Sequence, residues 1–428
     1  MGTSNMNILE RLERDYPTTP DIVRLKAALL FEGVRFDPCL VEAASWAFPN
    51  FMPYHLPPGT AAIDGERVVQ TPYLFRFPDD TQARLRIKEE SPFGVKRAHD
   101  GRYELFIDGT PVTPTSFETR QPWADLLTAD GTPMKATGLS QHGDMLVLNV
   151  APGCEYFVAP QEGSSRTRNL SCKFCLYGLP DKRMDPLGQE LYVIDVPEPT
   201  LDRVVEACVH PTTDAKQLYL VGGSMLDMQA EGDRFVQIAE RLKRAGLMDR
   251  YYVACGSGAI PRKSMEQLKA LGVRGACFNL EVWDPVQFER VCPGKHEIVG
   301  RDVWIESLET AVDVFGRGHV MSAFVGGAEL EGDGCFESPE LALESAIEAG
   351  EYLTTRGIHA VYSLHWKMTG KNRGQEPIYT LDFFLKLNEA LREIRRRHNL
   401  PINADFFSKR AAYMQLEPDY DAATNLAV

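Results

Sequence analysis

From residue 145 onward the sequence repeats one rhythm, a short apolar run followed by an amphipathic stretch, six times over. The apolar runs are LVLNV ending at Val150, LYLVGG at 218–223, YYVACG at 251–256, GACFNLEV at 275–282, VMSAFVGG at 320–327 and IHAVYSLHW at 358–366. After the second run, Phe235, Ile238, Ala239 and Leu242 fall on one face of a helix. A further helix is expected over Asp302 to Phe315, and another opens at Ser338-Pro339, a cap with proline in the first turn, and stops at Gly357. Alternation of this kind builds a parallel sheet, whose strands are apolar throughout because helices cover both faces. A doubly wound sheet and a barrel both satisfy the pattern. In either, ligands gather where the strands end at their carboxyl termini.

The flanking segments have a different texture. Residues 1–60 read as helices, including Asp21 to Leu30, followed by the proline-rich link FPNFMPYHLPPGT. Residues 61–140 carry short alternating runs, YLFRF, ARLRIK and RYELFI, separated by PDD, HDG and DGTP. Those separators are turn chemistry, so a small antiparallel β domain or lid is expected there. The barrel or sheet then occupies 141–372, and 373–428 supplies a last helix, Tyr379 to His398, with a cationic final turn. The tail LEPDYDAATNLAV reads as loosely ordered.

Bulk properties exclude several classes. A net charge of −14 and a pI near 5.2 argue against nucleic acid or an anionic membrane as the main partner. No apolar run is long enough to span a membrane, and no secretory signal is visible at the start, so a cytoplasmic location is expected. The nine cysteines are scattered and odd in number, unlike a disulfide framework.

Three of those cysteines lie in GCEYFVAPQEGSSRTRNLSCKFCLYG, just after the first strand of the series. Cys154 stands alone, and Cys172 and Cys175 form a C-x-x-C pair. A redox pair needs its C-x-x-C at a helix start, but Pro180 and Pro186 discourage a long helix there. A structural zinc site wants four ligands, and no second pair or suitably spaced histidines accompany the loop. Three thiolates on a four-iron cluster leave one iron open. The six remaining cysteines, Cys292 among them, show no spacing for a second cluster and read as small buried hydrophobes.

SCKFC resembles the second half of the radical S-adenosylmethionine (SAM) signature, C-x3-C-x-aromatic-C, placed as in that superfamily after the first strand. The position of the signature's first cysteine is held here by Arg168, so Cys154 would complete a C-x17-C-x2-C variant. LYLVGGS resembles the Gly-Gly-Glu element that receives the SAM amino group, which carries over to Gly222 and Gly223, with Ser224 in place of the glutamate. The segment from Phe278 resembles the fourth-strand region of lipoyl and biotin synthases. There an N-L-[ED] element binds the SAM ribose, mapping onto Asn279 and Glu281, with Arg290 and Lys295 as candidates for the SAM carboxylate. SAFVGGAE, with Val325 and Glu329, is similar to the glycine-rich element near adenine, and VYSLHW would add backbone from the sixth strand.

The resemblance implies a partial (β/α)6 TIM-like barrel behind a helical and antiparallel β N-terminal region. It also implies a 4Fe-4S cluster on Cys154, Cys172 and Cys175, and SAM as cofactor. The expected chemistry is reductive SAM cleavage to a 5′-deoxyadenosyl radical that abstracts hydrogen from a small-molecule substrate, in a specialised biosynthetic pathway. Electrons would come from a donor such as flavodoxin or ferredoxin. Cleavage to a 3-amino-3-carboxypropyl radical is the alternative chemistry, and a non-catalytic zinc- or cluster-binding protein is the alternative class. Tyr177, after the cluster pair, and His365, at the last strand end, are candidates to act on substrate. Each element also has a plainer reading: a tight turn at Gly222 and Gly223, solvated charges at Arg290 and Lys295, and a structural histidine at His365.

Overall fold

The computed structural model describes residues 6–48, 54–55, 68–151, 153–161, 163, 167–175, 198–367 and 376–424. The chain divides into two compact units, Met1–Gln121 with Thr380–Leu385 and Phe407–Val428, and Pro122–Tyr379 with Lys386–Phe406.

In the first unit, helix α1 (Ile8–Asp15) opens on a capping box between Asn7 and Glu10. Helix α2 (Asp21–Glu32) is buried along most of its length, and α3 (Pro38–Ala44) is capped by Asp37. The turn-rich region folds as expected into antiparallel strands β1 (Leu74–Arg76), β2 (Gln82–Arg84), β3 (Phe93–Arg97), β4 (Tyr103–Ile107) and β5 (Thr110–Phe117), in the order β2-β1-β5-β4-β3. β4 and β5 meet through Asp108-Gly109, both at positive φ, the two-residue turn that suits the twist of a hairpin. The tail differs from expectation. Residues Glu417–Ala423 are helical, and Asp419 is buried against the Lys26 ammonium inside α2, with the Thr81 hydroxyl donating to it at 3.1 Å. A buried lysine in a helix requires such a partner, and the local sequence of the tail carries no sign of it.

The second unit holds the rhythmic segment. β6 (Leu139–His142) pairs antiparallel with β7 (Met145–Ala151). β7 is followed in parallel by β8 (Gln217–Gly222), β9 (Tyr252–Ser257), β10 (Gly275–Phe278), β11 (Val320–Gly326) and β12 (Ile358–Leu364). Helices intervene: α4 (Glu198–Val209), α5 (Met228–Arg244), α6 (Arg262–Leu271), α7 (Pro285–Val291), α8 (Arg301–Phe315) and α9 (Pro339–Thr355). Phe235, Ile238, Ala239 and Leu242 are the buried stripe of α5, as their spacing requires. The sheet order β12-β11-β10-β9-β8-β7-β6 follows the sequence without reversal. A doubly wound sheet reverses order at a switch point, and this one does not. The fold is therefore a partial (β/α)6 barrel, edged by one antiparallel strand. Among the described residues no helix is long and apolar enough to cross a membrane.

Candidate active site at the carboxyl rim of the barrel

Between Cys154 and Cys172, the described residues on either side of 161–166 run back along one another. Cys154 precedes a short 3-10 turn, Glu155–Val158. Ala159–Pro160 then pairs antiparallel with Thr167–Arg168, Ala159 opposite Arg168. The Leu170 amide donates to the Tyr156 carbonyl at 2.7 Å, closing the stem below the pairing. Tyr156, Ala159 and Leu170 form a small buried cluster against which Cys154, Leu226 and Ile298 pack. The excursion is a hairpin, and its base returns the chain to where it left. Cys172 and Cys175 sit in a turn closed by the Cys175 amide donating to the Cys172 carbonyl at 2.9 Å, and both thiols lie within the electrostatic reach of Cys154.

The thiols differ in character. Burial pushes Cys154 up to about 12, and the neighbouring thiols add to the rise. Cys172 is held below the usual thiol value, first by a hydrogen bond from the Cys292 thiol and then, against burial, by the Lys295 charge. Among the described residues no three His, Cys, Asp or Glu side chains are gathered tightly enough to hold a single metal ion. A structural zinc needs its four ligands at about 2.0 to 2.3 Å from one point. An iron–sulfur cluster instead gives each thiolate its own iron and spreads the ligands apart, and thiolates are its donors. Three thiols sharing one rim loop fit that group.

The next strand end lies directly on Cys154. A β-bulge falls between Val221 and Gly222. A side-chain carbon on Gly223 would come within 2.2 Å of the Gly153 carbonyl oxygen and 2.7 Å of the Cys154 Cα, so only glycine fits. The Ser224 carbonyl accepts from the Glu155 amide at 2.9 Å. Position 224 carries no acid, but Glu231, from the first turn of α5, is buried at this rim. Its buried carboxylate accepts from the Met225 amide at 2.9 Å and from the Gly258 amide at 2.7 Å, tying the β8 and β9 rims together. An acid seven residues beyond the motif gives no sequence signal for this.

Asn279, Glu281 and Lys295 converge. Glu281 has φ of 74°, rare for a residue with a side chain, and bridges to β11 through its amide to the Ala323 carbonyl and its carbonyl to the Val325 amide, both at 3.0 Å. The Lys295 ammonium donates to the Glu281 carboxylate at 3.1 Å and to the Asn279 carbonyl, and lies 4.4 Å from the centre of the Trp304 ring. Burial opposes its charge, but Glu281 and the thiols of Cys172 and Cys292 outweigh that and hold Lys295 above its ordinary value. Burial raises Glu281, with Lys295 pulling the other way. The Asn279 side chain accepts from the Cys277 thiol at 3.0 Å and the Ala323 amide at 3.3 Å.

Arg290 braces a loop: it donates to the Gln287 side chain at 2.7 Å, the Glu331 carbonyl at 2.8 Å and the Ala328 carbonyl at 3.4 Å. Glu329 is buried nearby and pushed up to about 7 by that burial, Arg290 notwithstanding. Gly326 and Gly327, read from the sequence as near adenine, accommodate the Tyr379 ring, which a side-chain carbon would meet at 2.5 and 2.6 Å. His365, at the end of β12, meets the Phe174 ring edge-on at 5.9 Å, and burial pushes its imidazole down to about 4. Both line a cavity of about 400 Å³ with Lys173, Arg290, Ala328 and Glu331. The structure thus gathers the cysteine loop, Gly222–Ser224, Asn279, Glu281, Lys295, Arg290, Val325, Glu329 and His365 along one strand-end rim. Tyr177 lies outside the described residues.

No family model matches the chain. A curated protein of Chlorobaculum limnaeum, bacteriochlorophyllide c C-7(1)-hydroxylase, is 22% identical over 319 residues, 71% of this chain and 73% of that protein. Among solved structures, methylornithine synthase aligns over 64% of this chain and 78% of its own, at 11% identity and a TM-score of 0.38. The FeFe-hydrogenase maturase HydG of Carboxydothermus hydrogenoformans aligns over 59% and 52%, at 16% identity and a TM-score of 0.36. The sequential parallel barrel, the cysteine loop after its first strand and the ordered strand-end elements are the features in which the chain resembles the radical SAM superfamily.

Proposed function

We propose that this enzyme holds a 4Fe-4S cluster on Cys154, Cys172 and Cys175 and cleaves SAM reductively, yielding a 5′-deoxyadenosyl radical that takes hydrogen from a small molecule. The observation that carries the proposal is the hairpin stem, which brings a distant cysteine back beside a C-x-aromatic-C pair and lays Gly223 against it. The cluster, when bound, supplies the electron that breaks a C–S bond. The residues of the chain orient and exclude. Gly222, Gly223 and the Ser224 backbone offer a close, side-chain-free approach for the SAM amino group. Glu281 and Asn279 are the proposed ribose contacts, and Lys295, buried and cationic, and Arg290, which lines the neighbouring cavity, are the proposed contacts for the SAM carboxylate. Val325 and Glu329 border the base. His365, neutral at physiological pH, lines the cavity beside Phe174 as a hydrogen-bonding rather than a charged group. A relative named for a hydroxylation, which replaces C–H by C–OH, supports C–H cleavage as the substrate step. A ferredoxin or flavodoxin is the proposed electron donor.

The test is anaerobic reconstitution with iron and sulfide, then dithionite and SAM. Wild type is expected to accumulate 5′-deoxyadenosine and Cys175→Ala none. Methylthioadenosine instead would assign the 3-amino-3-carboxypropyl chemistry, and a colourless zinc-loaded protein without nucleoside products would overturn the proposal.

A further inference from the structure

Cys292 carries no metal-binding spacing in the sequence, yet the fold sets it beside Cys172. Two chain segments run side by side here, with the Lys173 amide donating to the Val291 carbonyl at 2.9 Å and the Gly294 amide to the Leu170 carbonyl at 2.8 Å. These backbone bonds bracket Cys172 on one segment and Cys292 on the other, so their proximity is set by main chain and not by a side-chain rotamer. The Cys292 amide is itself fixed by the Phe288 carbonyl at 2.8 Å, at the end of α7. Across this pairing Cys172 stands opposite Cys292, and each thiol lies within the electrostatic reach of the other. Cys292 is 0% exposed, so no water competes for its S–H.

We infer that Cys292 is a positioning thiol for the iron–sulfur group, donating its S–H to the Cys172 sulfur when that sulfur carries iron and thereby raising the reduction potential of the cluster. The inference rests on the proposed ligation by Cys172. Reduction adds negative charge to the cluster and its sulfurs. A donor aimed at one of those sulfurs stabilises the reduced form more than the oxidised form, which moves the potential upward. In a buried, weakly polarisable setting the effect is felt more strongly than it would be in water. Lys295 adds positive charge nearby, but it is unchanged by substitution at 292 and serves as a constant background.

The experiment compares reconstituted wild type, Cys292→Ala and Cys292→Ser by redox titration followed by electron paramagnetic resonance, without SAM. All three are expected to bind equal iron. The alanine variant should titrate at a more negative potential, and serine, whose hydroxyl still donates, should recover most of the difference. Equal midpoints in all three proteins would overturn the inference, as would an equal shift in both variants, which packing alone would produce. A second arm needs no cluster. Hydrogen peroxide added to the cluster-free full chain oxidises the Cys172 sulfur to a sulfenic acid. The Cys292 thiol then displaces water and forms a disulfide, the pair losing two electrons and two protons while peroxide becomes two waters. Peptide mapping should find the 172–292 link, and its absence would refute the adjacency. Failure of wild type to take up any cluster would instead sink the parent proposal and leave this arm standing.

Discussion

At Gly223 the site tolerates no added atom. A methyl group there would overlap the Gly153 carbonyl, which is main chain and cannot swing aside as a side chain would. Gly223→Ala is therefore expected to displace the Cys154 loop, costing about 1 to 3 kcal/mol or more of stability. Reconstituted iron per chain should fall together with the thermal midpoint, and unchanged values of both would contradict the packing described. Some residues of the site are legible in sequence because their neighbours form a pattern: Asn279 and Glu281 lie in an N-L-E run at a strand end, and the double glycine follows a strand. Cys292 and Glu231 are not legible. A lone cysteine closing an apolar helix looks like any small hydrophobe, and its partner lies more than a hundred residues earlier in the chain. Arg290, a conspicuous charge in the sequence, also braces the loop beyond β11 through three protein acceptors, which its local sequence does not foretell.

The decisive element is the hairpin between the first two cysteines. Arg168 occupies the position where the common signature has its first cysteine, but the pairing with Ala159 places it on the stem. It is half exposed there and paired with Glu297 at 2.6 Å. Cys154→Ala is expected to abolish cluster uptake, and adding Arg168→Cys should not restore it. Iron and sulfide analysis of the double variant checks this, and recovery of the cluster would mean that the stem does not govern ligand placement. Arg168→Ala alone should change stability by no more than about 0.5 kcal/mol, as for other exposed pairs. The sequence exposes the cysteine spacing without its reason, because a two-residue pairing of ordinary residues, AP with TR, leaves no alternating signature.

Over the barrel unit, buried titratable groups set the response to acid. His359 in β12 is fully buried, its imidazole pushed down to about 3 by burial, with the Arg395 and Arg317 charges adding. Burial alone pushes His142 down to about 4, as it does His365. In the unfolded chain a histidine takes its proton near pH ~6.5, so below that value the unfolded state binds more protons and stability falls. Each such histidine removes up to about 1.4 kcal/mol per pH unit between its unfolded and folded values. Glu329 opposes this as pH falls from about 7 toward the ordinary carboxylate range, because it takes its proton earlier when folded. Denaturant midpoints are thus expected to decline steadily below about pH 6.5, and His359→Phe should flatten the slope by about one proton. An unaltered slope in that variant would show that His359 is not buried neutral. The six-stroke rhythm made the parallel sheet legible, since each strand is apolar on both faces. The choice of barrel over a doubly wound sheet was not, because sheet order depends on which distant strands meet. The structured tail escaped for the same reason: its buried Asp419 answers a lysine almost four hundred residues away.

The antiparallel strand β6 has one more effect. It occupies the very edge of β7 that would have to be free for the ring to be completed by β12. A closed cylinder can widen only by breaking a ladder of backbone bonds, whereas this cradle can change its girth by bending alone. Any bending of this open sheet therefore leaves every rung between its strands intact.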